Sequence, residues 1–144
     1  MSNEMNEAAK LNYNDINPGN VYTFKKIISK QDVMDFAELS GDFNPLHVDV
    51  NFGKKSMFKD NVVHGMLAAS LFSTLVGMHC PGEKSLYLSQ TLNFKLPLYY
   101  DDMVTVRGII ISKNDGIKII TIKTEILKDD KIVIDGEAKV KVME

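Results

Sequence analysis

The spacing of apolar and polar residues changes character at Pro81-Gly82. Beyond it, four stretches carry β-branched and aromatic residues at the spacing of strands: "L-Y-L-S-Q-T-L-N-F-K-L-P", "M-V-T-V-R-G-I-I-I", "I-K-I-I-T-I-K-T-E-I-L" and "K-I-V-I-D-G-E-A-K-V-K-V". In the last, Ala138, Val140 and Val142 alternate with Lys139 and Lys141, which predicts a sheet with one buried face. Asp101-Asp102, Asn114-Asp115-Gly116 and Asp129-Asp130 separate the stretches and read as hairpin connections, so the sheet is expected to be antiparallel.

Before Pro81 the pattern is mainly helical. "V-Y-T-F-K-K-I-I-S", from Val21, is the exception and predicts a strand. Ser29 then offers an N-cap, and Asp32 three residues on completes a capping-box pattern. The helix that follows puts Val33, Phe36 and Ala37 on one face and is expected to stop at Gly41. A short helix is expected after Asp49. From Val62 to Met78 the chain is apolar nearly all round, the mark of a helix buried on most sides. One such helix and about five antiparallel strands predict an α+β fold, a curved sheet wrapped around a long central helix. Residues 1–17 are rich in Asn and Glu and lack periodicity. They predict a mobile N-terminal arm, leaving residues 18–144 as a single domain.

Composition narrows the function classes. With 144 residues, 44% hydrophobic and 25% charged, the chain has the make-up of one globular domain. A net charge of −2 gives no electrostatic reason to expect nucleic acid or an anionic membrane as partner. The lysines between Lys113 and Lys141 alternate with Asp115, Glu125, Asp129, Asp130, Asp135 and Glu137, which reads as a solvated sheet face. The apolar stretch Val62–Met78 is interrupted by polar residues and falls short of the roughly 20 apolar residues of a membrane span. The first ten residues have no apolar core of the kind a signal peptide carries. Cys80 is the only cysteine, which excludes an internal disulfide and fits a reducing compartment. A cytoplasmic protein is expected.

The chemistry concentrates in "S-G-D-F-N-P-L-H-V-D", Ser40 to Asp49. Asp42 and His47 stand either side of Asn44-Pro45. With ordinary pKa values of about 3.9 and 6.5, an aspartate and a histidine can divide the work of taking and giving a proton. Pro45 fixes its own φ and biases Asn44 towards an extended conformation, which is expected to keep the loop from becoming helical. Asn44 itself reads as a structural residue that bonds the loop backbone. His64 reads as structural too, a satisfied histidine at the start of an apolar helix. His79 next to Cys80 offers a nucleophile and base, but sequence neighbours on a helix do not face each other, so a packed helix end is the better reading. His47, His64 and His79 show no close metal-ligand pair, and no metal is expected.

The run "L-S-G-D-F-N-P-L-H-V-D", followed by "V-V-H-G-M-L-A-A-S-L-F-S-T-L-V-G" and "L-Y-L-S-Q-T-L-N-F-K-L-P", resembles the hydratase-2 signature of the MaoC-like dehydratases, the (R)-specific enoyl-CoA hydratases. The likeness runs from Val33 to the C-terminus and omits the arm. It implies a hot-dog fold, an acyl-CoA substrate and no cofactor beyond the CoA of that substrate. It implies Asp42 and His47 as the acid–base pair that adds water to a trans-2-enoyl-CoA, Gly65 as an N–H donor to the thioester oxygen, and Ser73 as a hydroxyl supporting the aspartate. A homodimer is expected, both from the resemblance and because a short antiparallel sheet leaves an edge to cover. Acyl-CoA thioesterases and non-catalytic acyl-binding proteins share the hot-dog fold. The Asp–Asn–Pro–His loop favours the hydratase, since a thioesterase has no α-carbon to protonate.

Overall fold

The computed structural model describes residues 6–144. Its centre is a six-stranded antiparallel sheet of β1 (Val21–Ile28), β2 (Ser85–Gln90), β3 (Asn93–Phe94), β4 (Asp102–Asn114), β5 (Ile119–Lys128) and β6 (Lys131–Val142). The strands lie in the order β1-β4-β5-β6-β2, and β3 also pairs with β6. Two of the three expected hairpins form. Asp129 and Asp130 make a two-residue connection with both φ positive, 50° and 64°, the conformation whose twist suits a tight hairpin. The third connection, Asp101-Asp102, is not a hairpin, because β2 and β3 both pair with β6 and β4 pairs with β1 and β5. It is instead a bend in which the Asp102 carboxylate accepts from the Tyr99 N–H at 2.7 Å and from Lys128 Nζ at 2.8 Å.

Between β1 and β2 run five α-helical segments: α1 (Lys30–Ser40), α2 (Pro45–Val48), α3 (Val50–Lys55), α4 (Gly65–Ala69) and α5 (Leu71–Thr74). The α1 ends follow the predicted chemistry. Ser29 and Asp32 form a reciprocal capping box, and Gly41 closes the helix at φ 81°, in the left-handed region that favours glycine. The central helix is not one uniform rod. It starts at Gly65, breaks near Ser70 and ends in a π turn over Leu75–His79. Phe72 and Leu75 are buried against Val104, Val106 and Ile126 of the sheet. At Gly108 of β4 a Cβ would lie 2.9 Å from a Leu75 methyl, so the helix sits closer than a side chain there would permit. The opposite face of the helix is open: Met66 is 58% exposed, and Ser70 and Ser73 are exposed. The apolar sequence therefore describes a helix buried on one side of this chain and bare on the other.

The segment read from sequence as a mobile arm over residues 1–17 lies, from Ala9 onward, against the body of the fold; residues 1–5 are outside the described part. Main-chain bonds tie Ala9 to Met78 and Glu83, and Leu11 to Pro81. Tyr13 and Ile16 are buried with Ile110, Ile120, Val140 and Cys80. Lys113 Nζ stands over the Tyr13 ring and donates to the carbonyls of Tyr13 at 3.0 Å and Ile16 at 2.7 Å. No periodicity marks this segment because its anchors are two isolated side chains rather than a regular element.

The sheet face expected to be solvated holds one exception. Glu125 is 2% exposed, with Oε1 accepting from both Nε and Nη2 of Arg107 at 3.0 Å. Arg107 is its direct cross-strand partner, so the guanidinium is placed to cover and neutralise the carboxylate.

Candidate active site

Asp42 and His47 reach the site through a turn built by their neighbours. The Asn44 N–H donates to Asp42 Oδ1 at 3.1 Å, and Asn44 Oδ1 accepts from the Leu46 N–H at 3.0 Å. Asn44 is thus the N-cap of α2, and Pro45 is its first residue, where a missing N–H costs nothing. The loop does become helical after Asn44, contrary to the expectation drawn from Pro45. Proline disfavours helix in the residue before it, and here that residue is a cap. Asp49 then caps α3 by accepting from the Phe52 N–H.

His47 is fixed on two sides. Its Nδ1 lies 2.8 Å from the Val62 carbonyl, and its own carbonyl accepts from the Tyr100 hydroxyl. A carbonyl can only accept, so Nδ1 carries the proton and neutral His47 keeps a bare lone pair on Nε2. Val62 is itself held by a bridge to Tyr99, and Val63 by a bond to Leu98. The imidazole is therefore mounted on the chain that leads into the central helix.

His64, one residue before α4, is buried, and its Nε2 lies 3.0 Å from the Asp42 main-chain carbonyl. Its ring is stacked on His47, with centroids 3.9 Å apart and planes at 28°. Burial lowers its pKa below the ordinary histidine value, and the neighbouring His47 pushes it the same way, while bonding to the Asp42 carbonyl raises it. The ring is neutral near pH 7. Single atoms of Asp42, His47 and His64 all lie within 4.8 Å of one another, a separation one water can bridge with two ordinary hydrogen bonds. The same trio of side chains is also a candidate group for holding a cation.

Gly65 opens the central helix, and the first N–H groups of a helix have no acceptor four residues back. A Cβ on Gly65 would meet the Phe94 ring at 2.8 Å, so the close approach of Phe94 requires glycine there. Beside these residues is an apolar cleft of about 360 Å³, whose lining includes His47, Gly65, Val63, Phe94, Leu98 and Ile134. Its volume falls in the range of small-molecule sites. Phe94 gave no signal in the sequence beyond its strand pattern.

Of the other residues singled out, Ser73 is exposed, and its hydroxyl makes no hydrogen bond to Asp42 in this chain. Burial pushes the Cys80 thiol up to about 12, which removes it as a nucleophile at neutral pH. His79 stacks on Phe24, away from the site.

Residues 14–139 match the family described as MaoC like domain. The chain is 44% identical over 112 residues to an (R)-specific enoyl-CoA hydratase of Aeromonas caviae, a match covering 77% of this chain and 84% of that one. It is 37% identical over 134 residues to an (R)-specific enoyl-CoA hydratase of Rhodospirillum rubrum, covering 90% of each. The R-hydratase PhaJ1 of Pseudomonas aeruginosa, unliganded, superposes with a TM-score of 0.90 at 30% identity, covering 95% of this chain and 88% of that one. The sheet with its central helix is accordingly a hot-dog fold, and the chain belongs to the MaoC-like dehydratase family.

Proposed function

We propose that this chain is an (R)-specific enoyl-CoA hydratase, a hydro-lyase that reversibly adds water to a trans-2-enoyl-CoA to give the (R)-3-hydroxyacyl-CoA. The observation that carries the mechanism is the convergence of Asp42 and His47 within one water's reach beside an apolar cleft. Water bound between them has its oxygen directed by the Asp42 carboxylate and its proton accepted by Nε2 of His47. The hydroxide equivalent adds to the β-carbon, and the double-bond electrons move towards the thioester carbonyl. The Gly65 N–H, at the start of the helix, donates to the oxygen where that charge collects. The imidazolium then returns its proton to the α-carbon, so one proton is taken, one is given, and both groups end as they began. The reverse sequence dehydrates the hydroxyacyl thioester.

No further cofactor enters this scheme. The cleft suits a short to medium acyl chain. A homodimer is part of the reading: β1 and β2 are both sheet edges, and exposed Met66 of the central helix with Leu86 and Leu88 of β2 gives a second copy apolar side chains to cover. Among the described residues no helix is long and apolar enough to cross a membrane. A cytoplasmic location fits the unpaired Cys80 and a CoA-linked substrate.

Purified protein mixed with crotonyl-CoA tests the proposal. Loss of the conjugated enoyl absorbance with formation of (R)-3-hydroxybutyryl-CoA is the expected result. Release of free thiol with the enoyl absorbance retained would make the protein a thioesterase. Neither change would leave a binding role.

A further inference from the structure

His64, expected from its place at the start of an apolar helix to be structural, takes no part in the proposed proton transfers. Its surroundings do not suit a filler. It is 2% exposed, and its Nδ1 is the one buried side-chain nitrogen or oxygen without a hydrogen-bond partner among the described residues. Burying a polar atom unpaired is unfavourable, and a phenylalanine or leucine would fill the same space without it. A histidine at this position therefore has some use for its other nitrogen and for its ring.

Both uses are visible. The Nε2 lies 3.0 Å from the Asp42 carbonyl, an acceptor only, so Nε2 is the protonated nitrogen and Nδ1 is the bare one. That bond ties the turn carrying the Asp42 carboxylate to the segment that begins the central helix. The ring face lies 3.9 Å from the face of His47, while its own flank is held by Phe36 in an edge contact at 4.8 Å. His47 has its edge held by Val62 and its face by His64. The next residue after His64 is Gly65. One side chain thus touches the backbone of the aspartate and the ring of the histidine, and its own main chain leads to the N–H donor.

We propose that His64 is a positioning residue for the hydration step, setting the Asp42 turn, the His47 ring and the Gly65 N–H in one frame through its Nε2–H bond and its stacked face. The inference rests on the hydratase reading of the site. His64 is 2% exposed and does not line the cleft, so it acts through its neighbours rather than on substrate. Its second contribution is electrostatic. When His47 takes the proton of water it becomes a cation, and a neutral aromatic face beneath it is favourable where a second imidazolium would be repulsive. The groups facing His64 are Asp42 and His47, with Phe36 on α1, and burial holds its pKa below the ordinary histidine value.

Two variants separate the contacts. His64→Phe keeps a ring against His47 and removes the bond to Asp42. His64→Gln offers an amide N–H to the Asp42 carbonyl and removes the stacked ring. A misplaced reacting group costs on the order of 100-fold in rate, so His64→Phe is expected to lower kcat on crotonyl-CoA by about 10- to 100-fold with KM within about two-fold of wild type. His64→Gln is expected to recover part of that loss. A merely structural role would lower the melting temperature and leave kcat per folded molecule in place. A folded His64→Phe protein with a kcat loss smaller than ten-fold overturns the proposal. Nitrogen-15 spectra of the wild-type imidazoles give a readout that does not depend on any variant folding. They are expected to show His64 neutral with its proton on Nε2, and His47 with its proton on Nδ1. A His64 protonated on Nδ1, or cationic at pH 7, overturns the proposal as well. The two readings fail separately: wild type without hydratase activity removes the proposed function, whereas the tautomers of His64 and His47 report on the framing directly.

Discussion

The two ends of the sheet are finished in opposite ways. At one end the chain closes its own core. Tyr13 and Ile16 are laid over Ile110, Ile120 and Val140, and Lys113 satisfies two of the arm's carbonyls. At the other end the core of Phe72, Leu98, Val133 and Ile134 borders an open apolar cleft, with His47 and Gly65 on its wall. The one orphaned buried polar atom of the described residues, His64 Nδ1, is at this second end. A fold that can seal one end with two side chains has no packing reason to leave the other open. The open cleft, with His47 and Gly65 on its wall, marks the end where a ligand is expected to bind.

The contrast can be broken in either direction. Asp42→Asn keeps the shape of the open end and removes its carboxylate. It is expected to reduce kcat by about 10²- to 10⁴-fold, with KM and the melting temperature little changed, as crotonyl-CoA kinetics and a thermal scan would show. Ile16→Ala empties part of the closed end. It is expected to cost about 2–5 kcal/mol in denaturant unfolding, while kcat of the folded fraction stays at the wild-type level. Lys113→Met leaves the apolar packing and removes the donor to two carbonyls. The expected loss is about 1–3 kcal/mol by the same measurement, again with activity retained. A large kcat effect from either closed-end variant would show that the two ends are coupled rather than separate.

How much of this was legible depended on how local the cause was. The strand alternation of Ala138, Val140 and Val142, the capping box of Ser29 and Asp32, and the stop at Gly41 all depend on neighbours in sequence, and the structure repeats them. The turn holding Asp42 was legible for the same reason, although Pro45 proved to start a short helix. The arm was not legible, because its order comes from Lys113 and the far strands, about 100 positions away. Nor was the bare face of the central helix: an all-apolar pattern states that burial is favourable but not which chain supplies it. Glu125 misled for a similar reason, since its burial comes from Arg107 on the neighbouring strand. His64 was read as satisfied, whereas only one of its nitrogens is, and no sequence pattern distinguishes those cases.

The central claim is that Asp42 and His47 act on one water as a unit. A double-mutant cycle of Asp42→Asn and His47→Gln, with kcat measured on crotonyl-CoA, tests it most directly. Residues that act together are strongly non-additive, so each single variant is expected to lose most of the activity and the double variant to be little worse than either. Losses that multiply would mean two independent contributions, and a double variant that still hydrates crotonyl-CoA at an appreciable fraction of the wild-type rate would place the chemistry elsewhere.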